Sequence, residues 1–479
     1  MTELILRPYQ TELIDKSREA LRHSQSVLMQ APTGAGKTAL TVTMMKNAAA
    51  AGRRSFFLVH QNELLQQTGK ALWKQHLEHG MVASGKRASK LPAQVASVQT
   101  LVRRLDQYEE PDLIIIDEAH RAAASTYLKI LEAYPRAKVV GLTATPQRTD
   151  GKGLSDIFQS LVIGPSVRQL IDAGYLADYE IFAPPSMFDA ASVKTRAGDY
   201  AKEQVEAAMD KPTITGDAVN HYKKLAKGKR CVVMCAGIKH ADHVAEQYRQ
   251  SGVPAESLDG TMTDKERESV LDRFARGETL VLTNTNLLIE GVDIPAIEVV
   301  QWLRPTKSLI IWMQGVGRGL RPAPGKERLL ILDHVGNVHR HGLPDDPREW
   351  SLEGRKKGKR KTNDEPDVAI QQCQSCFAVF RPGPSNCPQC GEAIKQKPPR
   401  QLEVVEGELQ KIDLERARKE RRKEQGAART LRELVALGIR REMRKPSAWA
   451  AITAASRENR KPTSAEFESA KRIERELRG

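Results

Sequence analysis

Directly after the apolar run Val27, Leu28, Met29, the chain reads Ala31, Pro32, Thr33, Gly34, Ala35, Gly36, Lys37, Thr38. Gly34 and Gly36 lack a Cβ, so the backbone around Thr33 and Ala35 can turn tightly. Successive amide N–H groups then face a polyphosphate at the positive end of the helix that follows. Lys37 reaches the β and γ phosphates, and Thr38 offers its hydroxyl to Mg²⁺. This is the chemistry of nucleoside-triphosphate binding.

Further chemistry lies downstream. The run Leu113, Ile114, Ile115, Ile116 suits a strand buried on both faces, and it ends abruptly in Asp117, Glu118, Ala119, His120. At the carboxyl edge of a parallel sheet, Asp117 can face the Mg²⁺ opposite Thr38 while Glu118 polarises the water that attacks the γ phosphate. The plainer reading is a helix start, where acids favour the dipole. His120 is either a coupling residue that hydrogen-bonds across to a second lobe or a helix-start histidine. Residues 141–146 (Gly-Leu-Thr-Ala-Thr-Pro) end another strand with hydroxyl residues that can relay nucleotide state to a nucleic-acid groove. Asp293 sits at the turn of a loop after a strand. Gln314 opens the run 314–321, in which Arg318 and Arg321 stand three residues apart on one helical face, spaced so that both guanidinium groups can meet one phosphate.

Cys373 and Cys376, then Cys387 and Cys390, form two Cys-x-x-Cys knuckles. Such hairpins bring four thiolates around Zn²⁺ at about 2.3 Å, and four cysteine ligands leave no open position, so the metal is structural. Two disulfides are the redox alternative. Phe377, Phe380 and Arg381 offer a grip on DNA or a partner, or serve only as the module's minimal core.

The elements that must position these residues follow from patterning. Arg7, Pro8, Tyr9 and Gln10 precede an amphipathic helix over 11–21. Strand-like runs at 56–60, 95–99, 113–117 and 139–143 alternate with helical stretches, which predicts a parallel sheet covered on both faces. A second α/β unit has strands at 231–236, 280–284, 299–303 and 329–333 and helices at 240–251 and 263–276. Fold class is therefore α/β: two tandem parallel-sheet lobes, a small four-cysteine zinc ribbon and a helical C-terminal region. Expected boundaries are 1–183 and 216–345 for the lobes, 184–215 for their connection, 346–367 for a basic linker, 368–396 for the zinc module and 397–479 for a basic helical tail.

Of a net charge of +15 over 479 residues, most lies from Gly354 onward, with 30 Lys and Arg against 18 Asp and Glu. That end faces a polyanion or is simply a solvated tail. The run 354–361 reads as a flexible basic linker touching phosphates without sequence preference, with a nuclear-localisation signal as the alternative. No apolar run approaches the roughly 20 residues of a membrane span, and Met1 to Gln10 lacks a signal-peptide core, so a cytoplasmic protein with no membrane partner is expected. Cys231 and Cys235 read as buried free thiols.

The ordered series 7–10, 31–38, 58–68, 98–101, 117–120, 143–145, 283–293 and 314–321 resembles the motif set of superfamily 2 helicases, in the DEAD/DEAH-box style, with two RecA-like lobes. Arg7 to Gln10, the run 290–295 and the four-cysteine cluster make it similar to RadD-like helicases. Helicase subunits of type III restriction enzymes and XPB-like helicases are more distant kin, and phage genomes carry short relatives, which implies a bacterial or phage-infected cell. The resemblance implies that ATP is bound with Mg²⁺, that Gln10 reads the adenine edge with Arg7 nearby, and that Asp293 faces the ribose or metal side. It implies arginine fingers at Arg318 and Arg321, catalysis by Lys37, Asp117 and Glu118, and nucleic-acid contacts at Gln61, Gln67, Gln99 and Thr283. The activity implied is an ATP-dependent DNA helicase or translocase of repair, recombination or replication. It would act on single-stranded or branched DNA, with single-stranded-DNA-binding or other replication and repair proteins as partners. An RNA-dependent ATPase of the same superfamily and an accessory DNA-binding module that senses nucleotide are the rivals. The cysteine reading is checked by Cys387→Ser: zinc stoichiometry measured on the purified protein should fall, and an unchanged stoichiometry would contradict the ligand assignment.

Overall fold

The computed structural model describes residues 4–148, 151–184, 195–196, 199–200, 202–209, 212–285, 297–354, 370–394, 424–441, 443, 445–458 and 460–478. Asp293, most of the basic linker and residues 401–423 lie outside these. Contacts divide the chain into two compact units, Met1–Lys395 and Gln396–Gly479.

The first unit opens with helix α1 (Pro8–His23), which starts earlier than its apolar pattern suggested. Pro8 holds the first helical position, where its missing N–H costs nothing, and the Arg7 N–H is received by the Gln10 side chain. Strand β1 (Ser26–Gln30), helix α2 (Lys37–Ala50), strand β2 (Ser55–Val59) and helix α3 (Asn62–Lys74) follow. Next come β3 (Gly80–Val82), β4 (Ala93–Ser97), β5 (Leu113–Ile116), β6 (Lys138–Thr143) and β7 (Ser160–Ile163). These strands form one parallel sheet in the order β3-β4-β2-β5-β6-β1-β7. Strands β1, β2 and β4 are buried along their whole length, as a sheet covered on both faces requires. Because β5, β6 and β1 are parallel neighbours, the loops carrying Asp117, Thr143 to Thr145 and Lys37 leave the sheet at one edge.

The chain crosses to the second lobe sooner than its composition suggested. Strand β8 (Asp178–Phe182) pairs in parallel with Arg328–Asp333, in a sheet that also holds Val299–Trp302, Cys231–Met234, Val281–Asn284 and Ala255–Leu258. The cysteine-bearing segment is not a detached module either. Its strand Ala378–Phe380 pairs antiparallel with β8 and extends the sheet at that edge. Helix Pro212–Leu225 packs Ala218, Val219 and Tyr222 into the second lobe's core.

Beyond the second lobe the chain returns to the first. The N–H of Leu154 donates to the Leu352 carbonyl at 2.7 Å, and Lys152 bridges to Gly354. A Cβ on Gly153 would stand 2.5 Å from the Glu353 carbonyl carbon, so the two backbones cross where no side chain fits. The lobes also meet through charge: Arg267, in helix Asp264–Arg276, pairs with Glu63 in α3.

In the C-terminal unit the described helices Leu431–Arg440, Pro446–Arg457 and Ser464–Arg478 pack around Leu434, Val435, Ala450, Ala451 and Ala470. Gly438 lets the first two helices approach, since a Cβ there would lie 2.9 Å from that of Pro446.

With side chains 16% and 33% exposed, the Arg267–Glu63 pair is partly shielded, so it is expected to hold the lobes together measurably. Arg267→Glu should increase the interlobe distance read by a fluorescence pair on the two lobes, and adding Glu63→Arg should restore it. An unchanged distance in the single variant would show that the pair does not hold the lobes.

Candidate nucleotide site

Gly34 and Gly36 both adopt positive φ, +88° and +79°, the left-handed geometry that glycine takes freely. The loop between them is pinned from α1. The Ala35 carbonyl accepts hydrogen bonds from the Tyr9 hydroxyl at 2.8 Å and from Gln10 Nε2 at 2.9 Å. Gln10 is buried and packs directly over Gly36, where a Cβ would collide with its amide. Gln10 also props the phosphate loop, with each end of its amide engaged by backbone. Arg7 lies over the Tyr175 ring at 4.5 Å, and Tyr9 packs on the same ring at 5.4 Å. No sequence motif marked Tyr175 or its neighbour Leu176, whose side chain covers Gly34.

The acids stand where the strand order requires. Glu118 takes a left-handed conformation at φ +45°, unusual for a residue with a side chain and a form of strain stored at functional sites. Burial pushes the Asp117 carboxyl up, Glu118 pushes it further, and Lys37 opposes both. For Glu118 burial acts in the same direction but is outweighed by Lys37, His120 and Arg318, which hold its carboxyl well below the usual range. The pair is thus one carboxylate held ionised by cations and one that a further cation would stabilise. His120 does not cross to the second lobe as one reading expected. Its Nδ1 lies 3.3 Å from Glu118 and 3.5 Å from the Thr143 hydroxyl, which itself donates to the Thr145 carbonyl at 3.0 Å. Coupling through His120 therefore runs from β5 to the end of β6 within the first lobe.

The second lobe brings helix Leu309–Gly319 onto this loop. Gly315 and Gly319 seat it on its own sheet, since Cβ atoms there would lie 2.6 Å from the Trp302 ring and from a Leu329 methyl. Gly317 faces the other lobe and touches Thr33 so closely that a Cβ would run into the Thr33 side chain. Lys326 secures the helix end by donating to the Gly319 and Arg321 carbonyls, the latter at 2.9 Å, and its burial draws its pKa down to about 8.

Thr33, Gly34, Gly36, Lys37, Thr38, Asp117, Glu118, Gln314, Arg318 and Arg321 line one cavity of about 560 Å³. Among the described residues, the Thr33 hydroxyl and the Gln314 amide nitrogen are buried there without hydrogen-bond partners. Two donors left unmatched beside a lysine, with two carboxyl groups opposite, fit a triphosphate with its metal. The expected nucleic-acid contacts divide. Gln61 and Gln67 line this same cavity, and the Gln99 amide meets His60 Nδ1 at 2.8 Å. Thr283 is fully buried and donates to the Ala241 carbonyl at 2.9 Å, a core bond that keeps it from any nucleic acid.

In the cysteine cluster, Cys373 and Cys390 stand 3.6 Å apart through sulfur, and Cys376 and Cys387 3.7 Å. A tetrahedron of sulfurs at the usual zinc distance has edges of about 3.8 Å, whereas a disulfide needs about 2.05 Å. Backbone N–H groups of Ser375 and Gln389 point at Cys373 and Cys387, each at 3.4 Å. The residue after each knuckle is left-handed: Gly391 in one, Phe377 at φ +62° in the other. Arg381 is bound to the buried Asp345 at 2.8 Å, which fastens the cysteine segment to the second lobe.

Two family descriptions match the chain: the type III restriction enzyme res subunit over residues 3–148 and the helicase conserved C-terminal domain over residues 213–323. A 51.5 kDa protein of a Lactococcus phage (isolate 7-9) is 31% identical over 395 residues, covering 82% of this chain and 83% of its own. The chain belongs to the superfamily 2 helicases. Among other members, a Saccharomyces cerevisiae protein described as an ATP-dependent helicase, IRC3, is 29% identical over 357 residues. That match takes in 69% of this helicase but only 52% of IRC3. A solved ATP-dependent Type ISP restriction-modification enzyme, LlaBIII bound to DNA, shares the fold at a TM-score of 0.52 and 19% identity, over 69% of this chain and 28% of that one.

Gly317→Ala tests the contact between lobes. The added methyl displaces the helix from Thr33, and kcat/KM for ATP should fall by about 10²-fold, the scale of a 1 Å misplacement. Thermal unfolding should be unchanged, and unaltered kinetics would contradict the arrangement.

Proposed function

We propose that this helicase is a DNA-dependent ATPase whose two lobes close on ATP and reopen after hydrolysis to move along or remodel DNA. One observation carries the reading: Arg318 and Arg321 from the second lobe share a cavity with Lys37, Thr38, Asp117 and Glu118 from the first. A site completed only when two lobes meet couples its chemistry to their spacing.

In this reading Lys37 and the loop amides hold the β and γ phosphates. Thr38 and Asp117 hold Mg²⁺, which supplies charge neutralisation to the phosphates when bound. Glu118 orients the attacking water and takes up its proton through an ionised carboxylate. Arg318 and Arg321 meet the charge that spreads over the γ phosphoryl oxygens, a contribution of about 10³ to 10⁵ in rate where such fingers act. Asp293 and Gln314 complete the nucleotide contacts. The four cysteines hold a structural Zn²⁺, which keeps the ribbon on the edge of the second sheet.

DNA as substrate is supported by the restriction-enzyme family matched over residues 3–148, by the DNA-bound enzyme of the same fold, and by the surplus of Lys and Arg beyond Gly354. Among the described residues no helix is long and apolar enough to cross a membrane. Single-stranded or branched DNA in repair, recombination or replication, alongside single-stranded-DNA-binding proteins, is the setting this proposal carries.

ATP hydrolysis by the wild-type protein should be stimulated more by single-stranded or forked DNA than by RNA, and stimulation by RNA alone would overturn the choice of substrate. Lys37→Ala and Glu118→Gln should each abolish the stimulated rate while leaving the circular dichroism spectrum unchanged, and full activity in either would overturn the motor reading.

A further inference from the structure

The lining of the nucleotide cavity extends past the residues that a nucleotide would use. It also takes in Thr41 of α2, Phe57 of β2 and Gln67 and Thr68 of α3, a groove between the two helices. It reaches Lys70 and Lys74, both exposed, so the groove opens to solvent there. At 1.5 Å per helical residue, Lys74 stands about 20 Å along α3 from Gln61 at the cleft. No triphosphate held at Lys37 requires a cation so far away. Neither lysine has an ion-pair or hydrogen-bond partner among the described residues, and the Thr41 hydroxyl is buried and unmatched.

The front of the site is closed at the same time. Gly317 abuts Thr33, the Arg321 side chain lies over Gly34, and Arg267 is paired with Glu63. The groove along α3 offers the γ-phosphate end a way out that does not cross these contacts.

We propose that this groove is the exit path and transient binding site for inorganic phosphate, with Lys70 and Lys74 drawing the product anion out while the lobes are still closed. The inference rests on the ATPase reading above. Lysines four residues apart on one helical face form a ladder of positive charge, and Gln67, Thr68 and Thr41 offer the neutral donors that a partly dehydrated phosphate needs between cations. The order of events follows: phosphate departs first through the first lobe, and ADP departs when the lobes open.

The test is pre-steady-state kinetics on the full chain with DNA and ATP. Chemical hydrolysis is read by rapid quench, and phosphate release by a fluorescent phosphate-binding sensor. In the double variant Lys70→Glu, Lys74→Glu, phosphate release should slow by about tenfold while the quenched hydrolysis rate is unchanged, making release the limiting step. Hydrolysis in ¹⁸O-labelled water should then place more than one solvent oxygen in each phosphate, because retained product reverses to ATP before leaving. The Lys70→Arg, Lys74→Arg variant should behave as wild type. Unaltered release in the glutamate variant overturns the proposal. So does a fall in the chemical step itself, or a weakened response to DNA at unchanged release, which would assign these lysines to nucleic-acid phosphates. Absence of hydrolysis in the wild type would instead refute the ATPase reading, so the two failures are told apart.

Discussion

The close approach of Gly317 to Thr33 is the contact on which the nucleotide site depends. Three glycines in the 11-residue helix Leu309–Gly319 cost about 3 kcal/mol relative to alanine, since each loses backbone freedom and contributes no side chain. What offsets this is proximity on two sides. Gly315 and Gly319 let the helix settle on Trp302 and Leu329, and Gly317 lets the same rigid element touch the phosphate loop. A helix held on its own sheet and pressed against the other lobe carries Arg318 and Arg321 to the cavity without a flexible tether. Lys326, drawn onto the last carbonyls, fixes the end from which Arg321 projects.

Charge in the cavity is arranged around that contact. Lys37 sits between two adjacent carboxyl groups, and Arg318 adds its field to Glu118 only because the second lobe is in place. Opening the cleft would remove one cation from Glu118 and leave its remaining partners in the first lobe. His120 and Thr143 then form a short bridge from the acids to the end of β6, nine residues before Lys152, which bridges to Gly354. Backbone at that crossing joins the nucleotide edge of the first lobe to the chain leaving the second. The cysteine ribbon is fastened in the same economical way, as one more strand on the sheet plus Arg381 on a buried aspartate.

Much of the site was legible in sequence because its residues are local. Lys37 with its glycines, and Asp117 with Glu118, are each short segments at strand ends, and the apolar runs before them fix where those ends lie. The arginine pair and the two cysteine knuckles were legible for the same reason: a helical or hairpin spacing determines which side chains converge. What was not legible depends on packing between distant segments. Strand β8 has an alternating polar pattern that does not say which sheet it joins, so it was assigned to the first lobe, and it is Arg328–Asp333 that claims it. Thr283 has the chemistry of a phosphate contact, but the helix behind it takes its hydroxyl. Gln10 was known by its position after Arg7, Pro8 and Tyr9, yet that it braces Ala35 follows only from how α1 docks. Glu63 with Arg267, and Tyr175 under Arg7, carry no local signature at all.

In the proposed mechanism, catalysis needs cations from the second lobe at a phosphate held by the first. Single-turnover hydrolysis of ATP, measured beside nucleotide affinity in Arg318→Ala and Arg321→Ala, tests it most directly. Nucleotide affinity should stay within about tenfold of wild type while the hydrolysis rate falls by about 10³ or more. Hydrolysis at the wild-type rate in both variants would contradict the account, because the site would then be complete within a single lobe.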